Sequence, residues 1–212
     1  MGLSKDSLLW LNRGHQMLRK IVGNHIEDLL SGIASILHRR GISPNTLTVT
    51  GLIINGIAAY IYYRGLLKFA GAVILVAGLF DMLDGAVARA GKNDSKTGGF
   101  IDSVVDRYSD FLIFGGVLAF FAKTGDFGRV ILVLAILCGA FMVSYVRARA
   151  ELVIPKCDVG LLERPERIII LAAGSIFNLF DAALWVLAVF THLTACYRIF
   201  YTYRHAQRSS SM

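Results

Sequence analysis

The chain has 212 residues, of which 55% are hydrophobic and 17% are charged, and its mean hydropathy is +0.58. Soluble domains carry about 25% charged residues, so the composition argues against an ordinary soluble domain and predicts an integral membrane protein. The formal net charge of +7 would suit either a nucleic acid or an anionic lipid surface. The positions of the charges along the chain have to decide between these two partners.

The N-terminal segment has the apolar pattern of a surface helix. Between residues 7 and 40, leucine and isoleucine recur at three- and four-residue spacing. This spacing is typical of an amphipathic helix that lies at the membrane interface. Ser43 followed by Pro44 is a helix-start signal. We therefore predict an N-terminal interfacial amphipathic segment over residues 1–41 and a transmembrane domain over residues 42–212.

Uncharged apolar runs predict the helices of the second part. Residues 44–63 form a run of 20 and residues 130–146 a run of 17, and about 20 apolar residues span a bilayer as a helix. The runs at 69–80 and 111–122 reach that length only when they are extended through nearby aspartates. We therefore predict an all-α integral membrane protein with six transmembrane helices. The predicted spans are residues 44–64, 69–89, 99–122, 128–150, 164–179 and 181–203.

The basic residues predict the orientation. Six spans place both termini on one side of the membrane, together with the loops after the second and fourth spans. All of the 22 Lys and Arg residues except Arg64, Lys68, Lys123 and Arg129 fall on that side. Because cytoplasmic loops are enriched in Lys and Arg, we predict a multi-pass protein of the cell membrane with both termini in the cytoplasm. The excess of positive charge is thus explained by membrane orientation, and no nucleic-acid partner is predicted.

Four aspartates lie at the ends of the second and third predicted spans. On a helix, Asp81 and Asp84 share a face, and so do Asp102 and Asp106. The linker between the two spans is only about nine residues, so we expect antiparallel neighbouring helices that bring the carboxylates together. Unpaired charges inside a bilayer cost at least ~2.5 kcal/mol each, and four like charges repel one another. A cation is therefore expected among them.

The kind of cation follows from the ligands. Carboxylates without His or Cys suit a hard ion such as Mg²⁺ or Mn²⁺, and four of them could hold two ions. Two-ion sites serve in-line displacement at phosphorus. Gly85, which has no Cβ, would let a bulky ligand approach the backbone. The same spacing also suits intramembrane ion pairs or a cation or proton pathway, so a carrier remains an alternative to an enzyme.

The whole stretch DMLDGAVARAGKNDSKTGGFIDSVVD, residues 81–106, resembles the signature of the CDP-alcohol phosphotransferase family. The matching positions are Asp81, Asp84, Gly85, Ala88, Arg89, Gly98, Asp102 and Asp106. The resemblance implies a membrane enzyme of phospholipid synthesis in which an alcohol attacks a CDP-linked lipid and CMP is released. It also implies two divalent metal ions, Mg²⁺ or Mn²⁺, and a homodimer.

The resemblance implies a role for each matching residue. Asp81, Asp84 and Asp102 would bind the first ion, and Asp81, Asp102 and Asp106 the second. Asp106 would also be the catalytic base that takes the proton of the attacking hydroxyl, a role open to a carboxylate beside a nucleophile. The residues implied to contact the CDP group are Ile42, Ser43, Pro44, Asn45, Gly85, Arg89 and Ser95.

Two further stretches, SYVRARAE (144–151) and ERPERIII (163–170), are similar to the phosphatidylinositol-phosphate synthase branch, which uses inositol 1-phosphate as acceptor. The residues implied to bind the acceptor's phosphate are Ser144, Arg147, Arg167 and Arg198. A helix start at Pro165 with arginine beside it would favour a dianion. The branch commonly has Lys in place of Arg147, and a guanidinium binds phosphate as a fork rather than as a point charge. Ordinary cytoplasmic loop charge, or snorkelling in the case of Arg198, is the alternative for these arginines.

The resemblance therefore implies phosphatidyl transfer from CDP-diacylglycerol to inositol 1-phosphate. The alternatives are glycerol 3-phosphate as acceptor, an ether-lipid donor of archaeal type, a cation or proton carrier, and a catalytically inactive scaffold. Three accessory expectations concern charged residues near these motifs. Asp110 is expected to pair with an arginine, Asp181 to cap the last helix, and Arg149, Glu151, Glu163 and Arg164 to form supporting ion pairs.

Overall fold

A computed structural model describes residues 30–91 and 96–210, and all regular secondary structure in this part of the chain is α-helical. The all-α class predicted from the sequence is therefore confirmed. Most of the predicted interfacial segment lies outside the described residues, which begin within its last part. The described helices are α1 (residues 30–39), α2 (Pro44–Tyr63), α3 (Leu67–Ala90), α4 (Lys96–Thr124), α5 (Phe127–Ala150), α6 (Arg164–Ile176) and α7 (Phe180–Ser210).

Local signals fix several helix starts. The Ser43 side chain caps α2 by accepting the N–H of Thr46, and Pro44 occupies the first helical position, where a missing N–H costs nothing. Asp126 caps α5 in the same way through the N–H of Arg129. Asp181 does not cap α7, because α7 begins one residue earlier and the Asp181 carboxylate instead accepts two hydrogen bonds from Arg129, at 2.7 and 2.8 Å. The expected cap is wrong for that reason.

Four of the helices are long and apolar enough to cross a membrane: α2, α3, α5 and residues Phe180–Gln207 of α7. Helix α4 has 29 residues but carries charges through its first half. Helix α6 has 13 residues, which at about 1.5 Å per residue is shorter than the bilayer's hydrocarbon core. It ends before its predicted end because Asn178 is left-handed, with φ 59°, and the N–H of Leu179 bonds back to the Gly174 carbonyl. The count of six spans stays a prediction.

The helices pack as a continuous chain of neighbours. Helix α2 packs against α3 and α4, α3 against α6, α4 against α5, and α7 against α5 and α6. Each contributes buried apolar side chains to one core, among them Tyr62, Ile74, Phe114, Ile136, Leu171 and Leu184. In the described part of the chain, α3 and α4 do not pack along one another. The expectation that α3 and α4 pack against each other as neighbouring helices is therefore wrong. Each of them packs against α2 instead, and their acidic ends face a gap.

Helix α1 packs against α2 and α3. Its Leu30 and Ala34 are buried with Leu47 of α2 and with Leu83 and Val87 of α3. These contacts involve the half of α3 that carries the aspartates. The described end of the N-terminal segment is therefore packed onto the membrane domain beside its acidic residues.

The contact between α2 and α4 requires a glycine. A Cβ placed on Gly116 would overlap the backbone of Ala59, whereas a Cβ on the adjacent Gly115 would meet nothing within 4 Å. Small residues of this kind let helix backbones approach closely in membrane proteins. The α2–α4 distance therefore depends on Gly116 and not on Gly115.

We expect Gly116→Ala to destabilise the fold by about 1–3 kcal/mol through overpacking, because neither backbone can move without disturbing the core. Gly115→Ala is the matched control, since it adds the same methyl group on the same helix in open space and also improves helix propensity. The measurement is the thermal unfolding midpoint of each purified variant in detergent. Equal midpoints for the two variants would contradict the proposed close contact.

Candidate active site

Three of the four predicted aspartates converge. Asp81 of α3 and Asp102 and Asp106 of α4 each offer a carboxylate oxygen, and the three oxygens lie within 4.8 Å of one another. All three residues are half-buried. Hard oxygen ligands at this spacing fit Mg²⁺ or Mn²⁺, and three like charges so close need a cation. The residues present therefore fit the divalent-ion site that the sequence predicts.

Asp84 lies beside this group rather than in it. It is buried, and its Oδ2 accepts a hydrogen bond from Thr48 Oγ1 at 2.6 Å. Asp84 and Asp102 together line the cavity described next. Thr48 of α2 thus holds the fourth carboxylate at the edge of the cluster, a contact that sequence reasoning missed because the two residues are 36 positions apart.

A cavity of about 400 Å³ opens on the acidic cluster between α2, α3 and the start of α4. The predicted CDP contacts that line it are Ser43, Pro44, Asn45, Gly85 and Arg89. A Cβ on Gly85 would lie 3.4 Å from Arg89 Nη1, in van der Waals contact with that guanidinium. Ile42 instead packs with the apolar cluster of α1, and Ser95 lies outside the described residues.

A second cavity, of about 200 Å³, lies on the other side of Asp106. Its lining contains all four residues predicted to bind the acceptor's phosphate, which are Ser144, Arg147, Arg167 and Arg198. Arg167 is only 1% exposed, and its Nη2 donates to Asp110 Oδ2 at 2.6 Å. Among the described residues, its Nε and Nη1 have no hydrogen-bond partner. The expected pairing of Asp110 with an arginine is confirmed, and Arg167 keeps two donors for a ligand.

The other two arginines are already engaged with the protein. Arg198 is 1% exposed, and its guanidinium donates to the carbonyls of Val159 and Val143 and to Glu163, at 2.6–2.9 Å. Snorkelling of Arg198 is therefore wrong. Arg147 pairs with Glu163, with Glu151 and with Asp158. These two side chains fasten the loop after α5 to the helices around it, and both still border the cavity.

Asp158, one of the three carboxylates that Arg147 contacts, stays ionised. Asp158 also accepts a hydrogen bond from Lys156, and this contact lowers the pKa of the Asp158 carboxyl below its usual value. Arg147 then faces a fixed negative charge from that loop. Its charge is therefore partly neutralised before any ligand arrives.

Arg164 joins the acidic cluster to the second cavity. Its Nη1 lies 2.5 Å from Asp81 Oδ1 and 2.7 Å from Asp106 Oδ1, and its side chain is 14% exposed. It also lines the cavity that contains Arg167. Its expected supporting ion pairs are confirmed, but its contact with two predicted metal ligands was not expected from the sequence. The one available signal was its position three residues before Arg167, on the same face of α6.

An apolar groove of about 220 Å³ reaches the acidic cluster at Asp81. It runs between α2, α3 and α6, and Asp81 and Arg164 form its polar end. The apolar residues that line it include Ile74, Leu75, Leu79, Met82, Ile168 and Ile169. The acidic cluster is thus bordered by two polar cavities and one apolar groove.

Comparison with known proteins identifies the class to which this arrangement belongs. The family model for CDP-alcohol phosphatidyltransferases matches residues 41–196, most of the chain, and the protein belongs to this family. It is therefore an enzyme of the type that the aspartate motif predicts, which replaces the carrier alternative. Divalent-metal chemistry is in keeping with the convergence of Asp81, Asp102 and Asp106.

Similar individual proteins share one kind of activity. An archaetidylinositol phosphate synthase of Pyrococcus horikoshii is 37% identical over 176 residues, covering 82% of this chain and 91% of the relative. A phosphatidylinositol phosphate synthase of Mycobacteroides abscessus is 37% identical over 188 residues, covering 84% and 83%. The crystal structure of the Mycobacterium tuberculosis phosphatidylinositol phosphate synthase with CDP-DAG bound has a TM-score of 0.76 at 32% identity, covering 83% of this chain and 94% of that one. The same protein is also known in complex with manganese and citrate, with a TM-score of 0.75.

The Thr48–Asp84 hydrogen bond can be tested at constant side-chain shape. We expect Thr48→Val to raise the Mn²⁺ concentration needed for half-maximal CMP release by on the order of 10-fold, because outer hydrogen bonds orient metal-binding carboxylates. Thr48→Ser should retain most of the wild-type affinity because it keeps the hydroxyl group.

Thr50→Val is the matched control for this prediction. Thr50 lies on the same helix, and within the described residues its hydroxyl donates to the Thr46 carbonyl of that helix. Calorimetric Mn²⁺ titration of each variant would separate binding from turnover. If Thr48→Val behaved like Thr50→Val in both measurements, the hydrogen bond would have no part in holding the metal.

Proposed function

We propose that this enzyme transfers a phosphatidyl group from CDP-diacylglycerol to inositol 1-phosphate and releases CMP. The observation that carries the proposal is the buried guanidinium of Arg167. Among the described residues its two nitrogens Nε and Nη1 have no hydrogen-bond partner, and they lie in a cavity bordered by Asp106. An unpaired buried donor is costly, and a phosphate group would satisfy both. The acceptor is therefore a phosphorylated alcohol.

The lipid donor, CDP-diacylglycerol, would occupy the larger polar cavity and the apolar groove. The cavity lined by Ser43, Asn45, Gly85 and Arg89 would take the CDP group, with Arg89 available to its phosphates. The apolar groove beside Asp81 would take hydrocarbon next to the diphosphate. The similar enzymes are named as synthases of either phosphatidyl or archaetidyl lipids. An ether-lipid donor is therefore the alternative to CDP-diacylglycerol.

The residues around the cluster suggest how the reaction proceeds. Arg167 holds the acceptor's phosphate and so orients the acceptor hydroxyl beside Asp106. The Asp106 carboxylate accepts the hydroxyl proton while the hydroxyl oxygen forms a bond to the β-phosphorus of the donor. The bond between that phosphorus and the bridging oxygen breaks, and CMP leaves with the oxygen. Two divalent ions, held by Asp81, Asp84, Asp102 and Asp106, would neutralise charge on the phosphate oxygens during this displacement.

The membrane arrangement belongs to the same proposal. Residues 1–41 would lie at the interface and residues 42–212 would form six spans, with α4 crossing the membrane through residues 99–122. Both termini and the active site would face the cytoplasmic side of the cell membrane, where the released CMP and the phosphorylated polyols are soluble. A homodimer would be the working unit.

Asp106→Asn tests the base. We expect CMP release to be abolished, because the amide cannot accept the proton and general-base catalysis contributes about 100- to 10,000-fold, while calorimetry still detects Mn²⁺ at the first site formed by Asp81, Asp84 and Asp102. Asp181→Asn is the matched control, since Asp181 pairs with Arg129 away from the cluster. Near wild-type transfer by Asp106→Asn would remove Asp106 from the role of base.

The acceptor is tested by competition. Purified enzyme is given CDP-diacylglycerol with equal concentrations of inositol 1-phosphate and glycerol 3-phosphate, and the lipid products are identified by mass spectrometry. We expect the inositol product to dominate. Dominance of the glycerol product would keep the reaction and change the acceptor, whereas no CMP release with either acceptor, or with CDP-archaeol as donor, would support an inactive scaffold.

Arg167 tests recognition of the acceptor's phosphate. We expect Arg167→Gln to raise the KM for the phosphorylated acceptor on the order of 10- to 100-fold, the effect of losing charged hydrogen bonds worth about 1.5–3 kcal/mol, with little change in the KM for the CDP-lipid. Arg167→Lys, which keeps the charge beside Asp110, should be intermediate. Arg149→Gln is the control, because Arg149 is exposed on α5 and lines none of the three spaces described above. An equal rise in both KM values would assign Arg167 to the fold instead.

A further inference from the structure

The position of Arg164 leaves several buried atoms unsatisfied. Its Nη1 forms a hydrogen bond with Asp81, but the contact with Asp106 Oδ1 is an ion pair without hydrogen-bond geometry. Its Nε is buried and, within the described residues, has no hydrogen-bond partner, as is also true of Asp110 Oδ1 at 3.7 Å. Buried polar atoms are normally paired. The side chain is therefore held by charge more than by directional bonds, and another position could satisfy it better.

Arg164 also forms ion pairs with carboxylates that fit a divalent ion. The oxygens of Asp81, Asp102 and Asp106 lie within 4.8 Å of one another, and Arg164 contacts Asp81 and Asp106 at 2.5 and 2.7 Å. A guanidinium at those distances and a divalent ion in the same group of oxygens would repel each other at short range. The two cations therefore compete for Asp81 and Asp106.

The Arg164 side chain, once displaced from Asp81 and Asp106, could occupy the neighbouring cavity. Arg164 borders the cavity that holds the unpaired donors of Arg167, and both residues project from the first turn of α6. A guanidinium turned into that cavity would add a second fork for a phosphate group. Arg147 and Arg198, also at this cavity, are engaged with Glu163. Arg107 donates to the Ser103 carbonyl and lies 3.9 Å from Asp106. Arg164 would therefore join Arg167 as a cation that can bind a ligand there.

We propose that Arg164 is an exchangeable positioning residue: it neutralises Asp81 and Asp106 until a divalent ion binds, and then turns into the cavity of Arg167 to bind the acceptor's phosphate. Metal binding would thereby complete the acceptor site. This inference rests on the proposed phosphorylated acceptor. Its thermodynamic consequence is a positive coupling between metal and acceptor phosphate, which by linkage must be equal in both directions.

The first measurement is Mn²⁺ binding to the full-length protein in detergent, by calorimetry, without donor or acceptor. We expect Arg164→Gln to bind Mn²⁺ more tightly, by about 5-fold or more, within the usual range of coupling between sites, because the competing cation is gone. Arg149→Gln, which removes an exposed arginine elsewhere, should leave the affinity unchanged. Unchanged or weaker Mn²⁺ binding by Arg164→Gln would overturn the proposal, since a residue that merely supports the carboxylates would have that effect.

The second measurement is binding of inositol 1-phosphate with and without Mn²⁺. In the wild type, Mn²⁺ should tighten binding, and in Arg164→Gln that gain should shrink by about 5-fold or more, while binding without Mn²⁺ stays similar. Equal gains in both proteins would overturn the proposal. If Arg164→Gln does not fold, Arg164→Met keeps the apolar stem without the charge and should give the same two results.

These experiments separate this inference from the proposed function because neither needs turnover. If inositol 1-phosphate does not bind to the wild type, the proposed acceptor is wrong, and inorganic phosphate replaces it as the probe. A Mn²⁺-dependent gain in phosphate binding that requires Arg164 would then still support the exchange. Absence of that gain would overturn the exchange together with the acceptor.

Discussion

The mutual repulsion of carboxylates at the ends of two apolar helices is the constraint on which the rest of this structure depends. Asp81, Asp102 and Asp106 offer oxygens within 4.8 Å of one another, an arrangement that is stable only with cations among them. Two helices packed tightly along each other would leave no room for those cations. The fold meets this constraint by packing α3 and α4 separately on α2, which keeps their acidic ends close and leaves a gap between them.

The same constraint explains the charged residues of α6. Arg164 approaches Asp81 and Asp106, Asp110 lies between Arg164 and Arg167, and Arg167 opens into the neighbouring cavity. Opposite charges thus alternate from the acidic cluster to the second cavity. Buried ion pairs are weak evidence for stability, because desolvation can exceed the attraction. Their placement here, with unpaired donors at one end, is better explained by ligand binding than by folding.

The sequence predicted the acidic site well because its information is local. Within one helix, the spacings of Asp81 to Asp84 and of Asp102 to Asp106 fix a shared face, and helix starts such as Ser43–Pro44 depend on adjacent residues. The residues lining the cavities were predicted only through the family resemblance. Contacts between distant positions were missed, including Thr48 with Asp84 and Arg164 with Asp81. Neither periodicity nor composition contains information about such pairs, and the false expectation that α3 and α4 would be neighbours has the same origin.

The start of α6 shows why local reasoning can identify the correct region but the wrong interaction. A helix N-terminus is a general site for anions, and the sequence suggested that the start of α6 would bind the acceptor's phosphate. Glu163 occupies the N-cap position there and forms a capping box with Glu166, whose Oε2 accepts the Glu163 N–H at 3.1 Å. These two carboxylates already interact with the positive end of the helix dipole, and their negative charge would repel a dianion. Glu163 also draws Arg147 and Arg198 toward itself. Recognition of a phosphate in this cavity therefore falls to an arginine that pairs with another carboxylate and keeps donors unused, namely Arg167.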